Sequence, residues 1–272
     1  MLLRRSALLL PFATPLAAAA QGAAIGTAAR PVRVGVTAGP HAQVMEKVRE
    51  VAARADGPAN GLALRVVEFT DFIQPNAALA AGDLDANSYQ HQPFLDQQVR
   101  DRRLPLVSVG PTLLFPMAVY SRRHRNLADV PQGARIAIPN DPTNGGRALV
   151  LLAKAGLFRL RDGADFRATV ADIAENPRRL RILELEAAQL PRALDEVEAA
   201  AINTNFAIPA GLNPVRDAIA LEGRDTPYTN LLVVRQPDRG APWVARLLAA
   251  YHTPELRDFV QATFQGAVVP GF

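Results

Sequence analysis

The sequence predicts an α/β protein whose mostly parallel strands are divided between two lobes. Short β-branched or apolar runs alternate with helical patterns, the arrangement that builds parallel sheets. The chain has 272 residues, a length that suits two smaller lobes better than one continuous sheet. Hydrophobic residues make up 49% and charged residues 21%, the balance of an ordinary globular protein.

The first twenty residues read as a signal peptide. Met1 to Arg5 is a charged start, Ala7 to Leu16 an apolar stretch, and Ala17-Ala18-Ala19-Ala20 a small-residue cleavage site. The apolar stretch is too short to span a bilayer and is broken by Pro11 and Pro15. Arg4-Arg5 fits a twin-arginine signal or an ordinary charged start. Residues 21–30 read as a flexible Ala/Gly tether.

The alternating run Val32 to Val36 predicts a strand. Pro40 can open a helix at its first position, and Val44, Val48 and Val51 recur at helical spacing. Leu62 to Phe69 reads as a strand, Pro75 to Ala81 as a short helix ending at Gly82, and Leu84-Asp85-Ala86 as a return to the sheet. Phe94 to Arg102 is helical, and Leu106 to Val109 is a strand. Leu113 to Ser121 is long and apolar for one strand. Further strands are expected over Ala134 to Ile138, Arg181 to Leu185, Ala199 to Ile202 and Leu231 to Val234. Helices are expected over Arg147 to Ala155 and after Pro191, and Pro242 to Phe264 reads as two helices broken near Pro254.

Composition excludes several functions. With no cysteine, disulfides, thiolate metal sites and cysteine nucleophiles are absent, as is a lipid-modified N-terminal cysteine. The isoelectric point near 9.9 does not indicate a nucleic-acid binder. Removing Arg4 and Arg5 lowers the formal charge of +4 by two, and the densest basic stretch, Arg122-Arg123-His124-Arg125, is too short to follow a phosphate backbone. There is no Gly-x-Ser-x-Gly elbow, P-loop or dinucleotide glycine fingerprint. His41, His91, His124 and His252 are scattered without metal-helix spacing. No catalytic residue, metal site or cofactor is expected.

Three segments could hold a ligand. The first is Asn140-Asp141-Pro142-Thr143-Asn144-Gly145-Gly146-Arg147, between a strand and an apolar helix. Thr143 or Asn144 can cap the helix, two glycines admit a ligand to the backbone, and free N–H groups favour an anion. Arg147 can add a two-pronged grip on a carboxylate; the alternative is a capped helix whose arginine lies on the surface. The second is Asn87 to Phe94, where Pro93 keeps the preceding chain extended, so Tyr89 and His91 point to one side. Phe72 lies in a similar loop, with core packing the alternative. The third is Asn203 and Asn230 at strand ends, either turn chemistry or carbonyl acceptors for an ammonium group in the crevice where open α/β sheets place ligands.

On these residues the sequence resembles the methionine-type substrate-binding proteins of ABC importers, the NLPA lipoprotein family. The matching motifs run from Val32 to Phe272 and include Gly39-Pro40, Gly82 to Asn87, Gln90-His91, Pro139 to Arg147, Glu175-Asn176-Pro177, Gln189 to Arg192, Ile202-Asn203-Thr204 and Pro227-Tyr228 with Asn230-Leu231. The resemblance implies a two-lobed periplasmic-binding-protein fold of type II, with a mixed, mostly parallel sheet in each lobe and a ligand cleft between. Lobe 1 would comprise residues 31–116 plus 229–272, and lobe 2 residues 117–228. It implies that Arg147 clamps a ligand carboxylate with help from Asn144, that Asn203 and Asn230 hold the polar end of an amino acid, and that Phe72, Tyr89, His91 and Phe94 wrap its side chain. A thioether gains from aromatic edges, so methionine or a close analogue is the implied ligand. The implied partner is a membrane permease and its ATPase, with the binding protein a monomer that binds no nucleic acid. Phe72 and Phe94 stand where the family commonly has tyrosine, which makes the pocket more apolar. The missing cysteine leads to the expectation of a periplasmic protein that is not lipid-anchored. Another apolar amino acid or a small peptide is the alternative ligand, and an extracytoplasmic hydrolase the alternative class.

Overall fold

A computed structural model describes residues 23–272. The expected signal peptide, residues 1–20, lies outside the described residues. Residues 25–30, expected to be a flexible tether, instead fold into a turn. The Gly26 N–H donates to the Arg30 carbonyl at 2.7 Å and the Ala63 N–H to Gly26 at 2.9 Å, while Ile25 packs on the core. That apolar side chain gives the segment something to bury.

The chain first lays down β1 (Val32–Thr37), α1 (Pro40–Ala53), β2 (Leu64–Phe69), α2 (Gln74–Ala81), β3 (Ala86–His91), α3 (Gln92–Arg102) and β4 (Leu106–Leu114). It continues through β5 (Ala118–Tyr120), β6 (Arg135–Pro139), α4 (Pro142–Lys154), β7 (Arg159–Leu160), β8 (Ile173–Glu175), β9 (Arg181–Leu185), α5 (Leu190–Ala193), β10 (Ala199–Ile202), α6 (Thr204–Ala207) and β11 (Ala220–Leu221). It ends with β12 (Thr229–Arg235), α7 (Pro242–Tyr251), α8 (Pro254–Phe264) and β13 (Val269–Pro270).

Two main sheets result. The first runs β13-β4-β12-β3-β1-β2 and the second β11-β5-β10-β6-β9, with β7-β8 a separate pair. In each sheet one half is parallel, β3-β1-β2 and β10-β6-β9, while the other half is antiparallel. The apolar run from Leu113 onward is therefore two strands. Leu114 ends β4 in the first sheet and Ala118 begins β5 in the second. Pro116 falls in the gap, where a missing N–H costs no ladder bond.

Each sheet is covered on both faces. Val32, Val34 and Val36 of β1, all fully buried, pack with Val44, Met45 and Val48 of α1, Leu247 of α7 and Val260 of α8. Leu79 of α2 and Leu95 of α3 cover the opposite face with Val233. In the second sheet, Ile136 and Ile138 meet Leu149 and Leu152 of α4, while Ala137, Ala200 and Ile202 meet Leu190 of α5. Gly82 closes α2 in the left-handed conformation, φ 87°, and its N–H donates to Leu79 at 3.2 Å.

The start of α4 differs from the sequence reading. The helix begins at Pro142, not Arg147, and its N-cap is Asp141, whose carboxylate accepts from the Asn144 N–H at 2.9 Å. Neither Thr143 nor Asn144 is the cap. Gly145 and Gly146 consequently lie inside the helix, where the chain itself occupies the space left for a ligand. A Cβ on Gly146 would stand 2.1 Å from the Phe166 carbonyl, and one on Gly145 2.8 Å from that of Pro139.

Candidate functional site

Both sheets send residues to one narrow cavity of about 20 Å³. All eight residues singled out from sequence line it: Phe72, Tyr89, His91, Phe94, Asn144, Arg147, Asn203 and Asn230. Tyr89 and His91 lie on β3, and Asn230 pairs opposite His91 from β12. Asn230 is thus within its strand, not before it. Phe94 opens α3, Asn144 and Arg147 belong to the first two turns of α4, and Asn203 follows β10.

The aromatic wall is continuous. The Phe72 ring lies 6.2 Å from Tyr89, 6.1 Å from Phe94 and 5.0 Å from Phe206 of α6. Tyr89 is fixed by donating its hydroxyl to the Phe72 carbonyl at 2.9 Å, and burial raises its pKa well above the ordinary phenol value. His91 stands edge-on to Tyr228 at 5.1 Å.

A chain of amides forms the polar wall. The Asn144 carbonyl oxygen accepts from Asn203 Nδ2 at 2.9 Å and from His91 Nε2 at 3.3 Å, while its amide nitrogen donates to Asp141 at 3.1 Å. His91 Nδ1 accepts from the Phe94 N–H at 3.2 Å, so the proton sits on Nε2. Burial, assisted by the Arg147 charge, drives the His91 pKa down to about 3. His41 is also held neutral at about 3 by burial. Its Nε2 accepts from Asn230 at 2.8 Å, its Nδ1 faces the Thr37 hydroxyl at 2.7 Å, and its ring stacks on Phe115 at 4.0 Å. Burial raises the Asp141 pKa against the donors from Asn144 and Thr143.

Arg147 lines the cavity, but its fork is engaged by a carboxylate of the protein that the sequence reading did not foresee. Its Nε donates to Glu222 at 3.0 Å and its Nη2 reaches Glu222 at 2.5 Å and the Phe115 carbonyl at 3.0 Å. The guanidinium also lies 4.1 Å over the Tyr228 ring. Only Nη1 makes no hydrogen bond among the described residues. Two other buried polar atoms of the lining lack partners there, the Asn203 carbonyl oxygen and Asn205 Nδ2. An unpartnered acceptor and an unpartnered donor thus belong to residues of the same lining as the Arg147 cation, groups of the kind that complement an ammonium and a carboxylate.

His41, Gln90, Phe115 and Asn205 also line the cavity and were not anticipated. His41 follows Gly39-Pro40, and Asn205 repeats Asn203 two residues on, so both had weak local signals. Gln90 is held by Asn76 at 2.7 Å, a contact no spacing announces.

A family model described as NlpA lipoprotein matches residues 32–272. The chain belongs to the NlpA lipoprotein family. Among relatives in this family, the D-methionine-binding lipoprotein MetQ of Salmonella typhi is 44% identical over 243 residues, covering 89% of this chain and 88% of that protein. Outer membrane lipoprotein 3 of Mannheimia haemolytica is 44% identical over 244 residues, covering 90% and 91%. A nutrient-binding protein from Burkholderia cenocepacia, solved bound to methionine, superposes with a TM-score of 0.85 at 50% identity, covering 89% of this chain and 100% of that one. The methionine-binding protein MetQ gives 0.85 at 43% identity, covering 89% and 98%. The fold is that of the substrate-binding proteins, and three of these four are binding proteins by name. One expectation is overturned: the NlpA family and its relatives are lipoproteins, so the reading of a protein without a lipid anchor does not stand. It rested on the missing cysteine alone.

Proposed function

We propose that this chain is the substrate-binding protein of an ABC importer, that it captures methionine in the cavity between its sheets, and that it hands the ligand to a membrane permease. The observation that carries the reading is the cavity's two-sided chemistry. Asn203 and Asn205, with Oδ1 and Nδ2 unpartnered, and Arg147 line one cavity whose other wall is Phe72, Tyr89 and Phe94. A zwitterion meets an acceptor and donors in a dry site, and a thioether meets aromatic edges. The methionine carried by the Burkholderia relative supports the same ligand.

In this reading residues 31–116 with 229–272 form one lobe and 117–228 the other, supported by the sheet membership of their strands. Ligand enters when the lobes part and is enclosed when they close. Arg147 and Asn144 hold the carboxylate side, Asn203 and Asn230 the polar end, and Phe72, Tyr89, His91 and Phe94 the side chain. The protein acts by binding and performs no catalysis.

Calorimetry on ligand-stripped protein with a panel of amino acids and small peptides tests this. Methionine should bind more tightly than the other members; no heat with methionine or its analogues refutes the reading. A thermal scan gives an independent check, since ligand at a hundredfold excess over Kd should add about 2.7 kcal/mol. Turnover of any ligand would show that binding is not the whole activity.

A further inference from the structure

The ion pair behind the cavity bears on which ligands it accepts, an inference that rests on the methionine-binding reading above. Glu222 follows β11, with its side chain 12% exposed, and Arg147 is 3% exposed. The carboxylate takes Arg147 through Nε at 3.0 Å and also accepts the Met117 N–H at 3.1 Å. Its backbone N–H donates to the Met117 carbonyl at 3.0 Å, which fixes it beside the segment joining the two sheets. The guanidinium charge is therefore already matched by a part-buried carboxylate. Asp141, the cap of α4, is engaged by Asn144, Thr143 and the start of that helix, and Asp225 lines the outer pocket beside Arg147 and Glu222.

We propose that Glu222 is a specificity-determining residue that sets the net charge of the site to zero and so selects zwitterionic amino acids against anions of the same shape. Arg147 and Glu222 cancel, so a ligand carrying both an ammonium and a carboxylate enters with no net charge. An acid lacking the ammonium group brings a second carboxylate to one guanidinium, leaving an uncompensated negative charge in a water-poor cleft. A lone arginine at this position would do the reverse and favour the acid. Glu222 touches no ligand atom in this scheme; it acts through Arg147.

The probes are methionine, its hydroxy-acid analogue, in which a hydroxyl replaces the ammonium, and its methyl ester, which carries only the positive charge. On wild-type protein, calorimetry should give the hydroxy acid a Kd at least about a hundredfold weaker than that of methionine. In Glu222→Gln, which keeps the shape and an acceptor for Met117, the ratio of the two Kd values should narrow by at least about tenfold, while the methyl ester weakens further. Glu222→Asp keeps the charge and should restore the wild-type ratio. A purely structural role would move both affinities together and leave the ratio unchanged, and that result overturns the proposal. Should Glu222→Gln fail to fold, the wild-type series still decides: a hydroxy acid bound as tightly as methionine refutes charge matching. If wild-type protein binds methionine but the ratio is insensitive to Glu222, only this inference falls. If it binds neither, the methionine reading falls and takes this inference with it.

Discussion

At the scale of single residues, Arg147 has two jobs. The family resemblance assigns it to the ligand, so that Arg147→Ala would weaken binding severely and leave the fold intact. The Glu222 pair changes that expectation. Removing the guanidinium strands a part-buried carboxylate, which costs on the order of 1–3 kcal/mol. Arg147→Ala should therefore unfold at markedly lower urea concentration than wild type, and Arg147→Ala combined with Glu222→Ala should recover part of the loss. Two variants with the same midpoint would contradict the pairing. Asn203→Ala removes the unpartnered acceptor and the donor to Asn144. It should weaken methionine by about 1.5–3 kcal/mol, the range of hydrogen bonds to charged groups, and unchanged affinity in calorimetry would remove Asn203 from the site.

At the scale of elements, α4 decides the geometry of the polar wall. A glycine in a helix interior ordinarily costs about 1 kcal/mol relative to alanine, so Gly146→Ala would be stabilising if the residue faced solvent. The Phe166 carbonyl sits 2.1 Å from where the Cβ would be, and overpacking of this kind costs about 1–3 kcal/mol. Denaturation of Gly146→Ala should show a loss; a gain would mean that the loop yields freely. The strand-and-helix alternation was readable because β1, β6 and β10 are short apolar runs bounded by turns. The helix start was not, because Asp141, Thr143 and Asn144 are all competent caps and only the backbone path chooses among them. Short β7, β11 and β13 carry two residues each, too few for a periodic signal.

At the scale of the whole molecule, two buried neutral histidines tie stability to pH. His41 and His91 take up a proton in the unfolded chain below about 6.5, whereas burial holds them neutral in the fold down to about 3. Their contribution is complete above pH 6.5 and is lost as pH falls through that window, at about 1.4 kcal/mol per unit for each. Urea denaturation should show stability falling from pH 7 to pH 5, and a His41→Gln, His91→Gln variant should show a shallower slope. Stability that rises toward pH 5 would mean the rings are charged in the fold. Glu255, held down to about 2 by hydrogen bonds from Arg54 and Lys47, works in the same direction at lower pH. Its exposure makes that share small.

The sequence by itself determined the class of fold through its alternation of strand and helix patterns, and its resemblance to a family singled out eight residues that line the cavity; strand ends, caps and aromatic loops alone left each of them open to a structural reading. Only the tertiary structure decided what each side chain faces. Glu222 lies 75 residues from Arg147, and Asn230 lies 189 residues from His41, so no window of sequence contains either pair. A buried charge or amide takes the partner that packing brings to it, and that partner sets its proton, its free atoms and the ligand it can accept.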